Sequence, residues 1–313
     1  MSSPRVSILI PVYNRKKYIA ECIQSALDQT FTDHEIVVVD NASDDGTWEI
    51  CQQFSALDSR VRVFRNAENI GPVRNWMRCA QQARGEYSKI LFSDDLLEPD
   101  CIARMLQPFE IPGMGFVFCA SQIGESKEKS TIAYWARNDT VISSKKYLSL
   151  LLNDSAPRSP GAVLLRTKDL IKNLYFDFPT ATPQRFDHHG AGPDLMIMIL
   201  TLENYSKLTW ISTPLVFFRA HEDSFSISNS NNEVIMSYTS IIAYHLHKKS
   251  SNFRWLYYLA WTWLTIVRNH KLWINPIVFL RTNEGKGSIT EILISMLFMP
   301  ALFMKIVINR ISR

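Results

Sequence analysis

Residues 6–47 read VSILIPVYNRKKYIAECIQSALDQTFTDHEIVVVDNASDDGT. Val6–Pro11 is apolar but for Ser7, as expected for a strand covered on both faces. Tyr18–Gln29 follows, with apolar residues at Tyr18, Ile19, Cys22, Ile23, Ala26 and Leu27, the spacing of a helix with one buried side. Glu35–Asp40 reads as a second buried strand, and Thr47–Leu57 as a second helix preceded by Asp44, Asp45 and Gly46. Farther along the chain, Val61–Phe64 predicts a third strand. Pro72 suits the first turn of a helix running to about Ala83. Tyr87–Phe92 predicts a fourth strand, which ends in Ser93-Asp94-Asp95. Strands separated by helices of this length imply βαβ units, and so an α/β protein with a Rossmann-like, mostly parallel central sheet flanked by helices.

The remaining composition is that of a folded protein. The 313 residues are 46% hydrophobic and 20% charged, which excludes a disordered chain, and 11 Gly exclude collagen. The five Cys form no CxxC pair and leave one over, which argues against a disulfide framework or structural zinc and for a reducing compartment. Charge is uneven. From His245 onward there are 10 Lys+Arg and 2 Asp+Glu, which leaves 24 basic and 28 acidic residues in the first 244. An acidic body with a basic end region points to an anionic partner for that end. The opening residues lead straight into a strand, and no signal peptide is expected there.

In parallel α/β sheets, ligands bind outside the carboxyl ends of the strands. Here those ends carry Pro11-Val12-Tyr13-Asn14, Asp40-Asn41-Ala42-Ser43 and Ser93-Asp94-Asp95. A single Asp after a strand is commonly a turn or helix cap; three polar ends in one sheet favour a site. Asp94 and Asp95 cannot both stay within a regular strand, because their side chains would point to opposite faces and be buried without partners. Where the strand breaks into a turn, one carboxylate can reach a ribose hydroxyl while the other ligates Mg2+ or Mn2+. The plain alternative is a solvated Asp-Asp turn. No GxxxxGK[ST] phosphate loop, GxGxxG turn, HExxH pair or GxSxG elbow is present, so the usual NTPase, dehydrogenase, zinc-protease and serine-hydrolase readings lack support.

The runs VSILIPVYNRKKYIAECIQSALDQTF, EIVVVDNASDDGT, NAENIGPVRNW and YSKILFSDD, in this order, resemble family 2 glycosyltransferases, inverting enzymes of GT-A fold. The likeness covers about residues 5–110, with a weaker echo at LVFFRAHEDSFS, residues 215–226. The resemblance implies that Pro11, Tyr13 and Asn14 lie against the nucleotide base and that Asp40 reads it. It places Arg74 near the base or diphosphate and Asp94 on the ribose, with Asp95 and His221 toward the metal. It also implies a divalent cation, Mg2+ or Mn2+, and a nucleoside-diphosphate sugar, UDP-linked, as donor. Inverting transfer needs a base for the acceptor hydroxyl. The Glu-Asp pair common in relatives is absent before the apolar run Leu195–Leu200. Asp194 opens that run and is the expected base, with Asp187 as the alternative; an Asp favouring the helix dipole is the structural reading of Asp194. His188 and His189 could also serve, or touch only the acceptor. A QxxRW motif is absent, which favours single addition over polymerisation.

The expected organisation is a nucleotide-sugar half at 1–110, an acceptor-binding and catalytic half at 111–228, and a helical, basic, aromatic-rich region at 229–313. Phe116–Cys119 and Ala162–Leu165 read as strands, with a charged loop at Gly124–Ser130 between them. Glu233–His247 and Phe253–Val267 read as helices, and Ile292–Met304 is an apolar stretch too short for the roughly 20 residues that span a bilayer. With Trp255, Trp261, Trp263 and Trp273 nearby and a basic end beyond, an interfacial helix on anionic lipid is expected. Docking on the core or on a second subunit is the alternative. The resemblance implies a saccharide acceptor carried on polyprenyl diphosphate, and a cytoplasmic enzyme peripheral on the inner face of the membrane. Its expected role is in surface polysaccharide assembly such as O-antigen (lipopolysaccharide) or capsule. A catalytically degenerate scaffold of the same fold is the competing reading. Nucleic acid is not an expected partner, because the basic residues are mixed with long apolar runs.

Overall fold

A computed structural model describes residues 3–152, 155–177, 186, 189–221, 234, 237, 238, 241, 242 and 245. The chain divides into two compact units, Met1–Phe176 with Asp187–Ser228, and Asp177–Phe186 with Asn229–Arg313. In the second unit the described residues at 234, 237, 238, 241, 242 and 245 are helical. The expected helix Phe253–Val267 and the stretch Ile292–Met304 lie outside the described residues. Among the described residues no helix is long and apolar enough to cross a membrane.

The first unit opens with β1 (Val6–Val12), α1 (Ile19–Leu27), β2 (His34–Asp40), α2 (Thr47–Leu57), β3 (Val61–Arg65), α3 (Pro72–Gln82) and β4 (Tyr87–Ile90). All seven residues of β1 and of β2 are buried, as the apolar runs at their centres, Ile8–Pro11 and Ile36–Val39, require of strands covered on both sides. α1 buries Ile19, Cys22, Ile23 and Ala26, one stripe at helical spacing. β5 (Leu96–Leu97), α4 (Cys101–Leu106), β6 (Met114–Gly124), β7 (Ser130–Ala133), β8 (Thr140–Ser143) and α5 (Ser144–Leu152) come next. The unit ends with β9 (Val163–Arg166), α6 (Thr167–Asn173), α7 (Pro193–Thr201) and β10 (Lys207–Arg219).

The strands form one sheet in the order β3-β2-β1-β4-β9-β6-β10-β5, with β7 on β6 and β8 on β10. β3, β2, β1 and β4 are mutually parallel, β6 and β10 are parallel to each other, and β9 runs antiparallel between β4 and β6. The chain moves outward from β1 to β3 and then returns to the other side of β1 with β4. The order therefore reverses between β1 and β4, the point at which such sheets bind ligands.

The loops after β1 and β2 are clasped together. Three successive backbone N–H groups, of Asn14, Arg15 and Lys16, donate to Ser43 Oγ (2.9 Å), Thr47 Oγ1 (2.9 Å) and Asp45 Oδ2 (3.0 Å). Asn14 and Asp44 exchange two further bonds, Nδ2 to Oδ1 at 2.8 Å and backbone N to Oδ1 at 3.1 Å. Asn14 and Ala42 both take positive φ, 49° and 63°, a conformation costly to non-glycine residues that the clasp holds in place. A chain of carboxamides continues the stitching. Asn41 Oδ1 accepts from Asn66 Nδ2 (2.7 Å) and Ile70 N (3.0 Å), and Asn41 Nδ2 donates to Asn69 Oδ1 (2.7 Å). Asn66 Nδ2 also reaches Asn75 Oδ1 (2.9 Å), Asn66 Oδ1 accepts from Arg78, and Asn75 Nδ2 donates to Val39 O (3.0 Å).

Two measurements test these arrangements. Asn66→Ala removes one hydrogen bond each from Asn41, Asn75 and Arg78 and should cost about 2–3 kcal/mol in urea unfolding; a loss below about 0.5 kcal/mol would show the relay to be idle. Burial raises the pKa of Asp45, but the Thr47 hydroxyl and the Lys16 and Thr47 amides outweigh it and hold the carboxyl below its ordinary value. A depressed folded pKa stabilises above the unfolded value of about 3.9 and fades as pH falls through the folded one. The stability advantage over Asp45→Asn should be full above about pH 5 and shrink toward pH 3. A pH-independent difference would contradict this account.

Candidate active site

The exits of β1, β4 and β10 meet at the Asp94–Asp95 turn. Strand β4 ends at Ile90, the chain turns with Asp95 N donating to Phe92 O (3.0 Å), and β5 then pairs with Val216 and Phe217 of β10. This turn separates the two carboxylates, as the alternation argument requires. Asp95 is buried, and its Oδ1 accepts the Arg219 backbone N–H at 3.0 Å. Asp94 is half-buried, and its Oδ2 takes Arg15 Nε at 3.3 Å and His221 Nε2 at 3.0 Å. Arg219 braces the turn from the far side, with Nε on Asp94 O (3.0 Å) and a second guanidinium nitrogen on Glu21 Oε2 (2.7 Å). The Tyr18 ring lies 4.8 Å from that of His221 and 5.0 Å from the Arg219 guanidinium.

Burial and then the adjacent Asp94 carboxylate push the Asp95 carboxyl well above the usual range, opposed by the Arg219 amide and by the charges of Lys89 and Arg219. Two crowded carboxylates with an imidazole beside them form a hard, oxygen-rich donor set. A divalent cation would relieve the repulsion between them, so the residues fit Mg2+ or Mn2+. Among the described residues no three His, Cys, Asp or Glu side chains are grouped as a ready metal cage. Mg2+ commonly takes one or two carboxylates and completes its shell with substrate phosphate and water.

Asp40 closes β2 and is fully buried. Its Oδ2 pairs with Arg65 Nε (3.2 Å) and accepts the Ser43 N–H (3.1 Å), while its buried Oδ1 has no hydrogen-bond partner among the described residues. Pro11 is buried within β1, and Tyr13, just past its end, is 42% exposed. Arg74, in the first turn of α3, is exposed with its guanidinium 4.5 Å from the centre of the Phe176 ring. Asp194 stands in the first turn of α7, buried, with Oδ1 accepting the N–H groups of Gly192 (2.8 Å) and Leu195 (2.6 Å). One of its oxygens thus has the helix-terminal role that its position suggested, and the candidate base is held by backbone. The loop before it lies so close to α3 that a Cβ on Gly190 would fall 1.7 Å from Trp76 Cη2. Trp76 in turn packs on Phe92, centroids 5.3 Å apart. Asp187 and His188 lie outside the described residues.

The His221 imidazole rests on Asp94. The reason is register: β10 ends at Arg219, whose amide takes Asp95, and the chain two residues later has passed to the Asp94 side. Sequence reasoning missed Arg15, which sits in an exposed-looking Arg-Lys-Lys run three residues past β1, and Arg219, which closes β10. Their signal is position at the carboxyl edge of the sheet.

A model of the family described as Glycosyl transferase family 2 matches residues 7–173. Glycosyltransferase GlyG of Streptococcus pneumoniae serotype 4 is 36% identical over 225 residues, covering 71% of this chain and 73% of that protein. Chondroitin synthase of Escherichia coli is 43% identical over 107 residues, 34% of this chain but 15% of that protein. Among solved structures, Staphylococcus aureus TarS 1-349 in complex with UDP-GlcNAc superimposes with a TM-score of 0.67 at 19% identity, over 89% of this chain and 81% of that one. The mannosyltransferase PcManGT from Pyrobaculum calidifontis, in complex with GDP-Man and Mn2+, gives 0.51 at 15% identity over 99% and 88%. The fold is the GT-A fold of these glycosyltransferases. With the sheet order, the Asp94–Asp95 turn and these matches together, the chain belongs to glycosyl transferase family 2.

Proposed function

We propose that this chain transfers a sugar from a UDP-sugar to a saccharide acceptor, with inversion at the anomeric carbon, in the assembly of a surface polysaccharide. The observation that carries the donor assignment is the buried Oδ1 of Asp40 at the carboxyl edge of the sheet, unpartnered among the described residues. A buried acceptor without a donor costs free energy that a ligand N–H recovers. The N3–H of uracil supplies one, whereas N3 of cytosine is an acceptor and would be repelled. Tyr13 and Pro11 would flank the base, Asn14 shapes the turn under it, Arg74 approaches from α3, and Asp94 faces the ribose. TarS, with UDP-GlcNAc in its complex, supports this reading by its fold.

Asp95, with Asp94 and His221 beside it, would hold a Mg2+ or Mn2+ ion, which neutralises charge on the departing diphosphate. Asp194 is the proposed base that takes the acceptor hydroxyl proton, and Asp187 is the alternative. In this assignment residues 1–110 serve the donor and 111–228 the acceptor and catalysis. The basic, Trp-rich segment from 229 would rest on the cytoplasmic membrane surface and bring the enzyme to a polyprenyl-diphosphate-linked acceptor in O-antigen or capsule assembly. Its support is the charge asymmetry, 10 Lys+Arg against 2 Asp+Glu from His245 onward.

Calorimetric titration with Mn2+ present tests the donor reading. UDP should bind at least tenfold more tightly than CDP, and Asp40→Asn should erase most of that preference by losing about 1.5–3 kcal/mol toward UDP. Equal binding of the two nucleotides by the unaltered protein would refute the role of Asp40. Asp95→Asn should reduce turnover of the donor by about a thousandfold or more while leaving the folded far-UV spectrum intact; residual turnover above a tenth would remove Asp95 from the reaction.

A further inference from the structure

Arg15 is a cation at this rim that touches Asp94 and still keeps donors to spare. Its Nε sits 3.3 Å from an Asp94 oxygen already shared with His221. One further guanidinium nitrogen, Nη1, reaches only the backbone oxygens of Asn14 (3.0 Å) and Tyr13 (3.5 Å), and Nη2 donates to no group among the described residues. Arg219 contrasts with it, as its backbone and guanidinium both brace the Asp94–Asp95 turn. The backbone of Arg15 is nonetheless fixed, since its N–H is held by Thr47 Oγ1 and its neighbours by Ser43 and Asp45. A rigid backbone thus carries a half-exposed fork with unused donors.

The geometry points to Arg15 as a binding residue for the donor diphosphate, held on Asp94 until the donor arrives and then turned onto phosphate oxygens. The assignment rests on the proposed donor reading and deepens it. A nucleoside diphosphate brings several negative charges to a rim that already holds Asp94 and Asp95, so a cation is needed on the side facing the ligand. Guanidinium matches phosphate in a planar, two-bond geometry that an ammonium does not. When Asp94 engages the ribose, its hold on Arg15 weakens, and the freed fork lies between the base-flanking Tyr13 and the Asp94–Asp95 turn. Ordering the fork on the leaving group places positive charge where negative charge grows as the glycosidic bond breaks.

The test compares UDP with uridine, which lacks the diphosphate, in NMR titrations with Mg2+ present. Arg15→Met should weaken UDP binding about tenfold to a hundredfold and change uridine binding less than about twofold, with Arg15→Lys in between. Equal losses for UDP and uridine would mean that Arg15 only holds Asp94 and its own turn, and would overturn the assignment. So would unchanged UDP binding. If Arg15→Met does not fold, Arg15→Lys decides: a loss of about threefold or more confined to UDP supports the assignment, and no loss overturns it. A parent protein that binds none of UDP, GDP, CDP or dTDP would sink the donor reading and this assignment with it. UDP binding that ignores Arg15 would sink this assignment alone.

Discussion

Two neighbouring carboxylates at the end of a buried parallel strand are the constraint around which this rim is organised. Left in the strand, one of them would be buried in the core without a partner; left together, they repel. The turn at Asp94–Asp95 resolves the first problem by sending Asp95 to a backbone amide of β10 and Asp94 to Arg15 and His221. The second is only partly answered, because the Asp95 carboxyl remains pushed upward by its burial and by Asp94. A divalent cation would relieve such crowding, and the three strand exits that build the turn come from widely separated parts of the sequence.

Precision at the rim depends on the clasp between the loops after β1 and β2. Three consecutive amides anchored on Ser43, Thr47 and Asp45 hold Asn14 at positive φ. That fixes the direction in which Tyr13 and Arg15 leave the sheet. The carboxamide relay does the same for the chain between β3 and α3 through Asn41, Asn66 and Asn75. Pre-set donors and acceptors of this kind need no reorganisation when charge develops in a reaction, which is how fixed polar groups lower a barrier.

The first half of the fold was readable because each of its elements is local: apolar runs at Ile8–Pro11 and Ile36–Val39, and helical stripes such as Cys22–Ile23–Ala26. The rim acids Asp40, Asp94 and Asp95 were readable for the same reason, as polar residues ending buried strands. The second half resisted because its order is non-local. β9 slips antiparallel between β4 and β6, and the 13-residue β10 pairs with β6 through three register shifts, so no local period announces either arrangement. The contact of His221 with Asp94 was not legible either, because the register of β10 against β5, not spacing, sets which carboxylate it meets. Arg15 was passed over because Arg15-Lys16-Lys17 has the look of a solvated run; only the fixed backbone turns its first member inward.

The most direct measurement is a crystal structure of the protein with a non-hydrolysable UDP-sugar and Mn2+. The account predicts the uracil N3–H on Asp40 Oδ1, the ribose at Asp94, and the metal-bound diphosphate at Asp95. A nucleotide bound away from the carboxyl edge between β1 and β4, or a base that leaves Asp40 Oδ1 without a partner, would contradict it.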